Sequence, residues 1–248
     1  MAGFSRRRFV AGVASFAGCS MVGAQAFAHG RHGKAHHGPR PKAGRHFAAA
    51  EPAPVYTTPA PETVAPANLD TLGRLDPQAL IRKPLLASAI VALDKHKDRI
   101  SDTSRLFIAD FSKHSSEARL YMVDMTTGDV TAYRTAHGRG SDPDRSGWAR
   151  RFSNQMGSYA SSLGAYVTLG ESYGLRHGRH VSLDGLDPSN NLVRDRAIVV
   201  HSADYCEIPF LRAWGMLGRS EGCFATSSKE LAELLPEMGQ GRLLYAGV

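Results

Sequence analysis

The chain has 248 residues, 42% of them hydrophobic, which suits one sizeable globular domain with extensions. Its formal charge of +7 is local: residues 1–50 hold eight of the 30 Lys/Arg and no acid, leaving 22 basic against 23 acidic residues elsewhere. A nucleic-acid-binding protein needs a basic face on its folded part, so that reading loses its main support.

The N-terminus reads as an export signal over residues 1–28. Arg6, Arg7 and Arg8 precede an apolar, Gly/Ala-rich run from Phe9 to about Ala28, with an A-x-A site at Ala26 and Ala28. The run is too short and too interrupted by glycine for a membrane span. "SRRRFV" resembles the twin-arginine signal, in which paired arginines precede a Phe; that implies a folded protein delivered to the periplasm. "FAGC" at Phe16–Cys19 matches a lipoprotein cleavage box only loosely. Cleavage after Ala28 leaves Cys206 and Cys223, as a disulfide or with one thiol free and reactive.

Residues 29–68 are rich in Pro, Ala and His and lack a hydrophobic period, so they read as a disordered linker. His29, His32, His36, His37 and His46 fit a solvated basic tether better than a metal site. The ordered chain is expected to begin near Leu69. Residues 69–100 read as a helical lead-in, with Asp76 as N-cap and Pro77 at the first helical position. Pro84 either starts a second helix or kinks the first; Leu85, Leu86, Ile90 and Leu93 share a face.

Over residues 101–248 the period changes to two. "RLFIADF", "ARLYMVDM" and "DVTAYRTA" are strands, the last two joined by the turn "TTGD". "GAYVTLG" and "HVSLDGL" are short strands between Gly/Ser-rich loops. "RAIVVHS" is a buried strand that delivers His201 at its end. "SSKELAELLPEM" is a helix capped by Ser227 or Ser228, and "GRLLYAGV" is a closing strand. The sum is a mainly β (α+β) domain with a few short helices.

The chemistry concentrates in "VVHSADYCEIPFLRAWGMLGRSEGCFA", Val199 to Ala225. A thiol becomes a nucleophile when a neighbour takes its proton or lowers its pKa, and histidine does so near neutral pH. Cys223 follows Gly222, whose freedom allows a tight turn that could aim the Gly222 and Cys223 amides at one oxyanion. The spacing leaves two readings open: a catalytic pair, or a core cysteine beside a structural histidine.

Four segments, "FSNQMGSYASSLGAYV", "SLDGLDPSNN", "RAIVVHSADY" and "GMLGRSEGC", resemble in order the murein L,D-transpeptidase catalytic domain, in the branch that diverges from its best-known members. "RLYMVDMTTGDVTAYRTAHGRG" resembles the upstream hairpin, and the likeness covers roughly residues 100–248. It implies a β-sandwich or barrel. The family motif is a His, then a Ser/Thr-His-Gly-Cys step followed by an apolar and a polar residue. His201, Ser202, Ser220, Gly222 and Cys223 match; Glu221 stands in place of a second His, and Ala225 in place of the polar residue.

The resemblance implies that Cys223 attacks a stem-peptide carbonyl of peptidoglycan and forms a thioester. His201 is then base and acid, and the Ser202 carbonyl orients its ring. A diaminopimelate amine of a second stem resolves the thioester. The donor carbonyl belongs to diaminopimelate, the third stem residue, or to L-Ala, the first. Acylation of Cys223 by penem antibiotics is also implied.

The remaining candidates carry two readings each. Arg219 holds a stem carboxylate or is a solvated loop arginine. Ser158, Ser161 and Ser162 bond peptide backbone or form turns. His137 lines the cleft or is a satisfied structural histidine. Asp204 orients the His201 loop. Cys206 is simply buried or bridges Cys223. No Cys-x-x-Cys or His-Glu-x-x-His spacing appears, so neither metal nor other cofactor is expected. A Cys-dependent peptidoglycan hydrolase and a non-catalytic wall-binding module are the alternatives.

Overall fold

A strand with one wet face alternates apolar and polar residues, and "RLFIAD" does not. The computed structural model, which describes residues 71–248, gives the reason. β1 (Arg105–Asp110) lies inside an eight-stranded sheet covered on both faces. Phe107 and Ala109 point into one core with Tyr166, Phe224 and Leu244; Leu106 and Ile108 point into another with Leu85, Ile90 and Tyr245. The period of two survives as a choice between two buried clusters.

The other strands are β2 (Leu120–Asp124), β3 (Val130–Tyr133), β4 (Gly164–Gly174), β5 (Gly178–Gly185), β6 (Val199–Ser202), β7 (Phe224–Thr226) and β8 (Gln240–Gly247). Their order in the sheet is β3-β2-β1-β8-β4-β5-β6-β7. The β1–β8 and β6–β7 pairs are parallel and the rest antiparallel. β3 and β7 are the two edges, and the chain leaving β3 runs onto β7. Ala136 N donates to Ala225 O at 2.7 Å, and Arg139 N to Ser220 O at 2.8 Å. Ser220 N returns a bond to His137 O at 2.9 Å. These bonds bring the sheet close to a closed barrel and meet the mainly β expectation. They also remove an exposed strand edge.

Helices seal the two ends of the hydrophobic alternation. α1 (Lys83–Lys95) packs Leu85, Leu86, Ala89 and Ile90 on the outer face. It begins with Pro84 in its first turn, where the missing N–H costs nothing. The expected helix start at Asp76 does not form. Asp76 has φ 55°, and its carboxylate accepts from Leu80 N at 2.9 Å and Ile81 N at 2.8 Å, so it caps a loop. α3 (Ser228–Glu237) closes the inner core with Leu231, Leu234 and Leu235. Ser227 caps it through a capping box with Glu230. A short helix, α2 (Ile208–Trp214), was not legible: its seven residues, six of them apolar, show no alternation between an apolar and a polar face. Its signals are the Pro in its first turn and Gly215 just past its end, at φ 68°. The proposed signal, the linker and the start at Leu69 lie outside the described residues.

Phe224 ties this core to the residue before it in sequence, Cys223. Its ring is 5.8 Å from that of Phe111 and meets Tyr166 edge-on at 5.4 Å. Phe224→Ala is expected to cost about 3–5 kcal/mol in urea unfolding. A cost under about 1 kcal/mol would mean that the ring does not anchor this strand.

Candidate active site

β6 lies between β5 and β7 with Val200 in the core, and its register sets the site. His201 lies opposite His180 on β5 and Ala225 on β7. Cys223, two residues before Ala225, therefore enters the sheet beside the start of β6. His201 Nδ1 lies 2.9 Å from the Ser202 carbonyl. A carbonyl only accepts, so Nδ1 carries the proton and Nε2 of the neutral ring is left with its lone pair.

The loop before Cys223 is held from within. Gly222 has φ 119°, and a Cβ there would lie 2.7 Å from Ala160 O, so glycine is required. Ser220 Oγ donates to Cys223 O at 2.7 Å and accepts from Gly222 N at 3.1 Å. The Cys223 thiol donates to Ala197 O at 3.6 Å. Ala197 itself has φ 51°, rare for a residue with a Cβ, and it turns that carbonyl toward the sulfur just before β6 begins.

Burial governs the electrostatics of the pair. It pushes the Cys223 thiol up, against the Val199 amide and the Arg176 and Arg196 charges, which favour the thiolate. Burial pushes His201 down from the usual imidazole range, against its bond to the Ser202 carbonyl. Both shifts favour a neutral thiol beside a neutral imidazole at rest. The His177 ring packs 4.3 Å from that of His201 and is itself held down at about 4, mainly by burial.

Cys223, His201, Ser202, Asp204, Arg219, Ser220 and Glu221 line one cleft of about 520 Å³. Several of these expected residues serve inward roles. Ser220, 4% exposed, has its hydroxyl engaged within the loop, and the Gly222 amide is directed at that hydroxyl rather than at an incoming oxyanion. Arg219 donates to the Asp142 and Pro143 carbonyls. Among the described residues no hydrogen bond or ion pair joins Asp204 to His201; the Ser202 carbonyl orients that ring.

The serine cluster and His137 do not reach the cleft. Ser161 accepts from Gly138 N at 3.0 Å and donates to Gly222 O at 3.3 Å. Ser162 donates to Ser153 O and accepts from Arg196, and Ser158 Oγ accepts from the same guanidinium. His137 is fully buried and accepts from Arg119 Nη2 at 2.8 Å. Arg119 is buried too, and donates to the Thr135 and Lys113 carbonyls. Cys206 and Cys223 are both free thiols, and Cys206 packs with Ala136, Leu217 and Ala225.

Residues that sequence reasoning missed complete the cleft wall: Arg176, His177, Arg196, Ala197 and Tyr205. Arg176 and His177 lie in "YGLRHGRHV", a cationic turn between β4 and β5. Its charge could have been noticed, but nothing in the sequence points it at Cys223. Among the described residues, no group of three or more His, Cys, Asp or Glu is placed to hold a metal ion. No described helix is long and apolar enough to cross a membrane.

Comparison with known proteins agrees with the resemblance. Residues 78–246 match the L,D-transpeptidase catalytic domain, and the chain belongs to that family. No curated protein matches. Among solved structures, an L,D-transpeptidase from Mycobacterium tuberculosis H37Rv is 15% identical, with 58% of each chain covered and a TM-score of 0.39. L,D-transpeptidase 3 from Mycobacterium tuberculosis, in complex with a faropenem-derived adduct, is 14% identical, covering 58% of this chain and 60% of that one at a TM-score of 0.38. An L,D-transpeptidase from Mycobacterium smegmatis is 13% identical, covering 58% and 59% at a TM-score of 0.36. The chain thus spans less than two thirds of those proteins' length.

Two measurements test this electrostatic picture. Iodoacetamide alkylation of Cys223 tracks its thiolate. Its rate should inflect above the pH at which a free cysteine ionises; a rate already maximal at about pH 6 would mean a resting thiolate–imidazolium pair. His137→Ala removes the acceptor of a buried guanidinium and should cost about 3 kcal/mol in urea unfolding. Burial holds His137 at about 3, so the folded state binds fewer protons than the unfolded chain below the usual imidazole range. Wild-type stability should then fall as pH drops from about 6.5 toward 3, and the variant should lose part of that dependence. An unchanged pH slope would remove His137 as its source.

Proposed function

We propose that this protein is an exported, periplasmic transpeptidase that crosslinks peptidoglycan stem peptides through a thioester on Cys223. One observation carries the reading. His201 has Nδ1 fixed by the Ser202 carbonyl, leaving Nε2 as the base, in the same cleft as Cys223. The family supplies the substrate class. The signal-like N-terminus supplies the compartment.

The reaction runs in two halves. His201 Nε2 takes the Cys223 proton as sulfur attacks a stem carbonyl. The tetrahedral intermediate collapses, the C–N bond breaks, and the leaving amine takes the proton from His201. The thioester remains on Cys223. A diaminopimelate amine of a second stem then enters, gives its proton to His201 and attacks the thioester carbon. The C–S bond breaks and the thiol recovers the proton. Burial disfavours the charged form of each group, which favours a neutral resting pair. The imidazolium forms only beside the negative charge that develops during attack.

The donor carbonyl is that of diaminopimelate or of the first L-Ala. Penems, whose four-membered amide ring is a strained acyl donor, should acylate the same sulfur. L,D-transpeptidase 3 from Mycobacterium tuberculosis carries a faropenem-derived adduct.

The test is incubation with purified disaccharide-tetrapeptides, with products read by liquid chromatography and tandem mass spectrometry. A crosslinked dimer is expected from the protein and none from Cys223→Ala. His201→Ala should slow its formation by about 10²–10⁴. Fragments of the dimer identify the donor. Shortened monomers without dimer would make water the acceptor and the protein a hydrolase. An unchanged mixture from folded protein would refute both.

A further inference from the structure

The rim of the cleft carries a charge cluster centred on Glu221. Glu221 Oε1 accepts from Arg139 Nη2 at 3.2 Å, and Glu221 Oε2 accepts from Arg176 Nη2. The two arginines come from separate parts of the fold. Arg139 belongs to the segment that closes the barrel, and Arg176 to the β4–β5 turn. The Arg139 guanidinium lies 3.8 Å over the Tyr159 ring, which fixes its plane. Glu221 and Arg176 line the same cleft as Cys223 and His201. The side chains of Arg139, Arg176 and Glu221 are 49%, 67% and 41% exposed, so a ligand arriving from solvent can reach all three.

Two guanidinia that converge on one carboxylate make a receptor for carboxylates. Here the carboxylate is the protein's own, on the residue two before the nucleophile. We propose that Arg139 and Arg176 form a carboxylate-binding subsite for the stem peptide, and that Glu221 occupies it as an internal stand-in until substrate arrives. This rests on the reading of Cys223 as the acyl-enzyme nucleophile. Arg219, the arginine nearest Cys223 in sequence, donates to the Asp142 and Pro143 carbonyls. Arg139 and Arg176 are instead held by an exposed ion pair, which is weak and exchanges readily. A stem bearing a free carboxylate replaces Glu221 charge for charge. A stem amidated at that position offers a neutral group and does not. Glu221 thereby sets a threshold that favours acidic over amidated stems.

The test separates binding from turnover. Binding of two muropeptide probes to Cys223→Ala protein is measured by calorimetry: a disaccharide-tetrapeptide with free carboxylates, and the same molecule amidated at its second residue. The free acid should bind about three- to tenfold tighter, and the preference should shrink at high salt. Adding Glu221→Gln should tighten free-acid binding by a similar factor. Adding Arg139→Gln with Arg176→Gln should weaken it and abolish the preference. Equal affinity for the two probes, no binding of either, or weaker free-acid binding in the Glu221→Gln protein would overturn the subsite. If the probes bind as expected but intact Cys223 protein yields no product, the subsite stands and the transpeptidase reading falls.

Discussion

The parallel pairing of β6 with β7 is the constraint on which the site depends. It sets Val200 against Phe224 and His201 against Ala225, and so brings His201 and Cys223 to one end of the sheet from positions 22 residues apart. Neither strand is long; β7 has three residues. The pairing holds because both flanks are fixed. β5 backs β6, Phe224 is locked among Phe111 and Tyr166, and the chain leaving β3 bonds along the far side of β7. The same contacts therefore close the barrel and hold the site.

Closure also sets the electrostatics. A cysteine entering a barrel wall loses water, which raises its pKa, and a histidine there loses the same water and is lowered. The fold counters this with directed dipoles and charge rather than with an ion pair: the Val199 amide, with Arg196 and Arg176, favours the thiolate. Arg196 serves twice. Its guanidinium also bonds the Ser153 and Ala160 carbonyls and the Ser162 hydroxyl, so it pins the serine loop while placing positive charge near the sulfur. This explains why Ser158 and Ser162, suggestive in sequence, do not reach the cleft: they are partners of a half-buried arginine. Ser161 instead bonds Gly138 N and Gly222 O.

Much of this was legible in the residues, and what was not has physical causes. Strands with a clear β signature, a capped amphipathic helix and a Gly-Cys turn announce themselves locally. The strand-end placement of His201 followed from the apolar run "RAIVV". Asp76 misled because Asp followed by Pro suits both a helix start and a loop cap, and only the amides of Leu80 and Ile81 decide between them. α2 left no helical period because six of its seven residues are apolar, so no polar face sets off an apolar one. His137 and the cationic turn at Arg176–His177 are long-range matters. One hydrogen-bonds a buried arginine 18 residues away, and the other reaches Glu221 across 45 residues. No local pattern encodes either.

The two departures from the family motif have structural counterparts. Ala225 replaces a polar residue at a point with no room or water for one. It is fully buried against Ala136, Cys206 and Leu217, and its carbonyl takes both Ala136 N and the Thr135 hydroxyl as the barrel closes. A larger polar side chain there would need a partner and space that the closing strand occupies. Glu221 replaces a histidine where two guanidinia converge, and an imidazole, at most weakly cationic at neutral pH, would leave both arginines without an anion. Positions 221 and 225 therefore share a neighbour: the Arg139 segment, which both closes the barrel and reaches the rim of the cleft, contacts the chain at each of them.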